Sequence, residues 1–149
     1  MKIDKQLLDN LLAQAAESPR LRMNYDMRNS SEDSSQRMLN ALMPGTVLPI
    51  HRHTKTTETL VLLRGRMEEI FFEEGFESSR DGDSHCMDLC RSRVLRETSR
   101  VLLEAGGDVQ GLSIPVGQWH TVNVIEPTVI LECKDGKYEP LSENDMINF

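Results

Sequence analysis

The chain has 149 residues, with 17 basic against 24 acidic side chains and a formal net charge of −7. That length suits one domain with a core of its own and is short for two. The acidic balance argues against nucleic acid as the main partner, and no apolar run approaches the length of a membrane span. Aromatic residues are few, so the interior must lean on Leu, Val, Ile and the eight Met. The three cysteines, Cys86, Cys90 and Cys133, suggest no disulfide framework. The opening MKIDKQLLDN lacks the apolar stretch of a signal peptide. A cytoplasmic protein is expected.

In chain order, Ile3, Leu7, Leu8, Leu11, Leu12 and Ala15 recur at helical spacing. Residues 3–17 are therefore predicted as an amphipathic helix, packed on the rest of the fold or on a second subunit and stopped by Ser18-Pro19. Residues 20–36 are polar and read as an exposed loop. From Arg37 onward short apolar stretches alternate with Gly and Pro, the pattern of an all-β domain. Strands are predicted near 37–43, 46–53, 58–64, 66–72, 93–96, 99–105, 110–115, 119–125 and 128–133, with a turn at Arg64-Gly65. Residues 73–92 read as an acidic, serine-rich surface insertion. The organisation expected is an N-terminal helix and arm over 1–24 and a β-barrel domain over 25–149.

The chain has four histidines, and three of them fall into one pattern. His51 and His53, two apart on a strand, share a face. Glu58 starts the next strand past the Thr54–Thr57 bend. His120 begins a later strand, with Val122 and Val124 on its side and Thr121 and Asn123 on the other. Gly45 and Gly65 bracket the first unit where tight turns are needed. A barrel can bring these four side chains to one point, and three imidazoles with one carboxylate suit a divalent transition metal such as Fe, Ni, Zn or Mn.

Other residues have weaker claims. Arg64 shares strand parity with Glu58 and is a candidate to point inward at a substrate carboxylate or phosphate, with solvent as its other position. Lys55 and Arg52 are expected at the surface. Trp119, of opposite parity to His120, is expected to pack. Glu132 and Lys134 alternate with Cys133, so one face of that strand is charged and admits an inward ion pair; Cys133 itself reads as a small buried hydrophobe. Arg22 and Tyr25 are candidates for the rim. His85, Cys86 and Cys90 lie in the insertion and lack a fourth ligand for a second metal site. No residue is assigned as a general base.

The spacing Gly45-(five)-His51-Arg52-His53-(four)-Glu58-(six)-Gly65 resembles the first cupin motif throughout, and Pro115-Val116-Gly117-Gln118-Trp119-His120 resembles the heart of the second. Val109 stands where that second motif has its first Gly, and Val124 where it has its terminal Asn. The resemblance implies an all-β fold, a cupin jelly-roll β-barrel with a short N-terminal helix, enclosing a ligand-sized cavity. It also implies that His51, His53, Glu58 and His120 bind one divalent metal. More narrowly, Gln36-Arg37, Leu39-Asn40-Ala41-Leu42, Pro44-Gly45, Trp119-His120-Thr121 and Glu132-Cys133-Lys134-Asp135-Gly136-Lys137-Tyr138 are similar to the WbuC-type cupin fold metalloproteins. Those are small bacterial proteins from surface-polysaccharide contexts, without a settled reaction.

Three functions stay open at this point. One is a metal-dependent enzyme on a small polar, sugar-like metabolite linked to surface polysaccharide biosynthesis. Another is a non-catalytic small-molecule or metal-binding module, and the third a barrel whose metal only stabilises it. Because cupins commonly pair through their sheets, a homodimer is expected.

Overall fold

The computed structural model describes residues 1–78 and 91–148. The chain opens with helix α1 (Lys5–Glu17), which forms where the sequence places it. Its start is set by Asp4, whose carboxylate accepts the N–H of Leu7 at 3.0 Å and so satisfies one of the unpaired donors of the first turn. At the other end Ser18 N–H donates to the carbonyls of Gln14 and Ala15, and Pro19 follows. The apolar face of the helix, Leu8, Leu11 and Ala15, packs on Leu39, Ala41 and Val129. Leu11 is only 3 % exposed. Leu11→Ala will lower stability by about 2–5 kcal/mol through lost burial and the cavity left behind, a change that urea denaturation midpoints measure.

Among the described residues ten strands follow: β1 (Arg22–Asp26), β2 (Ser35–Leu42), β3 (Ile50–His51), β4 (Glu58–Arg64), β5 (Arg66–Ser78), β6 (Arg91–Glu104), β7 (Gly111–Ile114), β8 (Trp119–Val124), β9 (Thr128–Asp135) and β10 (Met146–Ile147). They form two five-stranded sheets, in the orders β1-β2-β9-β4-β7 and β10-β3-β8-β5-β6. The pairings are antiparallel. Leu42, Leu60, Leu62 and Ile130 of the first sheet meet Met67, Leu103 and Val124 of the second in one buried core. The result is the all-β, two-sheet jelly roll with a short N-terminal helix that the sequence implies. Strand β2 is covered on both faces: Leu39 and Ala41 belong to the helix side, whereas Leu42 enters the core between the sheets. That double burial explains its unbroken stretch of buried residues. Among the described residues no helix is long and apolar enough to cross a membrane.

Several boundaries differ from the sequence expectation. Part of the 20–36 loop is strand β1, paired with β2 from Arg22↔Leu42 to Asp26↔Met38. Its Met23 and Tyr25 pack on the helix side, but an edge strand with polar alternate residues carries little apolar signal. The strand expected over 46–53 shrinks to Ile50–His51, because Thr46 is tied locally: its hydroxyl donates to Leu21 O at 2.6 Å. The strands expected at 93–96 and 99–105 are one strand, β6, with the register shifting opposite Phe71/Phe72, as a β-bulge does. Strand β5 continues to Ser78 and β6 starts at Arg91, so both ends of the 73–92 stretch are strand. His85, Cys86 and Cys90 lie outside the described residues. The turn at Gly65 forms as expected, with φ +82°; a Cβ there would stand 2.2 Å from Pro127 O, so only glycine fits.

Candidate metal centre

Side-chain alternation builds the site. In β4, Glu58, Leu60 and Leu62 point between the sheets and are buried, while Thr59 and Val61 face out. In β9, Ile130, Glu132 and Lys134 take the same inner side, paired with Leu62, Leu60 and Glu58. Across the interior, His120 pairs with His51 of β3 and with Phe71 of β5. His53 lies two residues past His51, beyond the end of the strand, yet returns to the same cluster. Ring centroids are 4.3 Å apart for His51–His120, 5.1 Å for His51–His53 and 5.8 Å for His53–His120.

One donor atom from each of His51, His53, Glu58 and His120 lies within 4.8 Å of the others. Donors about 2.1 Å from a common ion stand at most roughly 4.2 Å apart, so adjustments of a fraction of an ångström bring this set to ligation distances. The hydrogen bonding favours ligation too. His120 Nδ1 lies 2.9 Å from Gln118 O and His51 Nδ1 lies 3.1 Å from Pro49 O. A carbonyl can only accept, so each ring donates through Nδ1, the arrangement in which a neutral imidazole offers Nε2 as a lone pair. His53 Nε2 and His120 Nε2 are buried and without a hydrogen-bond partner among the described residues. His53 Nε2 does come within 2.9 Å of Glu58 Oε2, but an N–H there would not aim at the oxygen, so the approach is a convergence of donors rather than a hydrogen bond. The residues fit a metal ion.

Electrostatics point the same way. His51 is pushed down to about 3, chiefly because burial disfavours the imidazolium and then because His120 lies alongside; the ring is neutral at ordinary pH. Burial alone would raise the Glu58 carboxyl, but the Lys134 ammonium, which donates to it, favours the anion and holds Glu58 below the usual carboxylate range. Lys134 Nζ donates to Glu58 Oε2 at 3.3 Å and also to Glu132 Oε1. Burial opposes the ammonium, yet the two carboxylates hold Lys134 above its ordinary value. Glu58 keeps the negative charge, and Glu132 is pushed up by burial and by Glu58. Asn40 Nδ2 donates to Glu132 Oε2 at 2.6 Å. A chain of contacts thus runs from Asn40 through Glu132 and Lys134 to Glu58. The inward ion pair admitted by the sequence is present.

Above the cluster lies a cleft of about 620 Å³, within the usual size range of small-molecule sites. His53 and Lys134 line it together with Thr54–Thr56 and the 135–142 segment. Arg52 is no surface charge: it lies over the Trp119 ring at 4.6 Å and donates to Asp145 Oδ1 at 2.8 Å and Glu74 Oε2 at 3.1 Å. It ties the histidine strand to β5 and to the C-terminal segment. Trp119 packs, as expected, at 2 % exposure. Lys55 is exposed and pairs with Glu139.

Other candidates do not join the site. Arg64 bonds Asp9 of the helix, because a bulge between Leu62 and Arg64 flips its parity away from Glu58. Tyr25 belongs to the helix-side packing, and Arg22 donates to Val47 O at 2.8 Å. Cys133 is half-buried rather than buried. Glu69 was missed. It is fully buried, neither carboxyl oxygen has a partner among the described residues, and burial followed by Glu58 and Glu132 pushes it well above the ordinary carboxylate range. Its signal is its place between Met67 and Phe71, apolar residues of the same parity.

Solved structures with this architecture include L-ribose isomerase of Cellulomonas parahominis, 16% identical, with 93% of this chain and 86% of that one covered at a TM-score of 0.56. A complex of oxalate oxidase with the substrate analogue glycolate is 13% identical, covering 85% of this chain at a TM-score of 0.55. This chain spans 57% of that oxidase. The capsular polysaccharide assembling protein CapF of Staphylococcus aureus is 14% identical, covering 89% of this chain and 32% of that one at 0.51. At such identities the likeness speaks for the fold, which is the cupin jelly roll. No curated protein matches the sequence. The family described as "Domain of unknown function (DUF6016)" matches residues 3–80, more than half of the chain, taking in the helix, β1 to β5 and His51, His53 and Glu58. The chain belongs to that family.

Proposed function

We propose that this cupin holds one divalent transition metal through His51, His53, Glu58 and His120, and acts on a small polar, sugar-like metabolite that enters through the cleft above His53. The observation that carries the reading is the pair of buried, unpartnered Nε2 atoms of His53 and His120, which converge with the Glu58 carboxylate. Burying polar atoms without partners costs free energy, and a cation shared by all of them removes that cost. Bound there, a divalent ion would supply Lewis-acid polarisation of a substrate oxygen, and a set of three imidazoles and one carboxylate would leave room for that oxygen. The protein's own residues do the rest. Nδ1–H bonds to backbone carbonyls fix the His51 and His120 rings, Lys134 keeps Glu58 anionic, and the cleft walls admit a ligand of limited size. In this reading the chain is a WbuC-type member of the cupins, cytoplasmic, homodimeric, and linked to surface-polysaccharide biosynthesis.

The test begins with protein purified without chelator and assayed for bound metal by mass spectrometry. It is then screened with Fe, Ni, Zn and Mn against nucleotide sugars, L-ribose and glycolate. Metal-dependent turnover of any of these supports the enzyme. Thermal stabilisation by a compound without turnover assigns a binding module instead. Protein that takes up no metal overturns both. Light scattering tests the dimer, since a 17.0 kDa species refutes it.

A further inference from the structure

The interior of the barrel is layered. His120 of β8 pairs with Phe71 of β5, and the next inward-facing pair on the same two strands is Val122↔Glu69. Across the barrel, Lys134 pairs with Glu58, and the next inward pair is Glu132↔Leu60. Glu69 and Glu132 therefore occupy one level, a step deeper than the histidines and Glu58. Below them the interior is apolar, with Met67, Leu103 and Val124. A residue diagonal to another across an antiparallel pair stands about 7–8 Å away, within reach of a long side chain. Glu69 stands in that relation to His120.

The polar atoms at this level divide into two groups. Glu132 is served by Asn40 and Lys134. Glu69 Oε1, Glu69 Oε2 and Asn40 Oδ1 are buried with no hydrogen-bond partner among the described residues. The metal reading accounts for the lone histidine nitrogens but not for these three oxygens, which lie too deep in the pattern to be ligands of the same four-donor set. Buried polar atoms in folded proteins are nearly always satisfied, so something polar belongs between Glu69 and the layer above.

We propose that Glu69 is a ligand-binding residue beneath the metal centre, sharing a hydrogen bond with a hydroxyl group of a small polyhydroxylated ligand, while Asn40 Oδ1 receives a second hydroxyl. The inference rests on the metal-centre reading above. A hydroxyl both donates and accepts, so it serves the Glu69 carboxyl with or without its proton, and it serves the amide oxygen of Asn40 as a donor. With a dication above and the Lys134 ammonium set against Glu58 and Glu132, the interior carries little net charge. The ligand is accordingly neutral or singly negative, not a multiply charged phosphate ester.

The experiment uses zinc-loaded protein, with L-ribose and glycolate as the probes and calorimetry as the readout, on the wild type, Glu69→Met and Glu69→Gln. Zinc content should be the same in all three. Glu69→Met should bind the wild type's probe about tenfold more weakly, the loss expected for one buried hydrogen bond. Glu69→Gln, which keeps a donor and an acceptor, should stay within about threefold of the wild type. Metal-free Glu69→Met should melt at a higher temperature than metal-free wild type, since it removes an unpartnered buried carboxyl. Should that variant not fold, the carboxyl 13C resonance of Glu69 in the wild type, assigned by its loss in Glu69→Gln, must move when the probe is added. Equal probe affinity in Glu69→Met, an unmoved resonance, or binding of neither probe by zinc-loaded wild type overturns this inference alone; the oxygens then serve only trapped water. A wild type that takes up no zinc overturns the metal centre itself and this inference with it.

Discussion

Metal-free protein titrated with zinc or manganese will gain about 4 kcal/mol of unfolding free energy once the free ion exceeds its Kd a thousandfold, and His120→Ala will gain almost none. The physical ground is the contrast between folded and unfolded donors. In the folded chain His51, His53, Glu58 and His120 are gathered within 4.8 Å, whereas the unfolded chain must close loops of tens of residues to do the same. His120 supplies the donor brought from farthest along the chain, and it is 2 % exposed, so no solvent-borne ligand replaces it readily. Without metal, His120→Ala also removes one imidazole from a crowded cluster, so its apo stability falls less than its metal response. Chemical denaturation with and without the ion separates the two effects. Equal metal stabilisation of wild type and His120→Ala would mean that the ion binds elsewhere.

Much of this centre was legible in the sequence, for a reason rooted in strand geometry. His51 and His53, Glu58, and the Trp119-His120 step each carry their meaning locally, because alternation along a strand fixes which side chains share a face. The same logic failed wherever a local count met a non-local event. Arg64 has the parity of Glu58 on paper, but the bulge after Leu62 reverses it and sends the guanidinium to Asp9. Arg52 reads as a surface charge between two histidines until the chain's own C-terminal segment supplies Asp145 and β8 supplies Trp119. Strand β1 is half polar and gains its place from pairing with β2 and packing under the helix. Glu69 is the sharpest case. Glu69 has Met67 and Phe71 at its own parity, but Glu68 likewise has Ile70 and Phe72, so that signal does not choose between them; the register with β8 puts Glu69 inside while Glu68 meets Asn123 and Arg100 outside.

The second large effect concerns Lys134. Replacing it with Met will destabilise metal-free protein by about 3–5 kcal/mol, the loss typical when one partner of a buried ion pair is removed. Its side chain is 11 % exposed, between Glu58 at 7 % and Glu132 at 17 %, so solvent offers little screening to the carboxylates it leaves behind. Two consequences separate this account from a simple packing loss. First, a divalent ion on Glu58 replaces part of the missing positive charge, so metal should stabilise Lys134→Met by more than it stabilises the wild type. Second, adding Glu132→Gln should recover much of the loss, because the neutral amide no longer needs the ammonium; the double-mutant cycle should show strong coupling. A loss that neither metal nor Glu132→Gln reduces would mean that Lys134 matters for the volume it fills. Recovery by both would show that its charge holds together the carboxylates from Glu132 to Glu58 of the candidate metal centre.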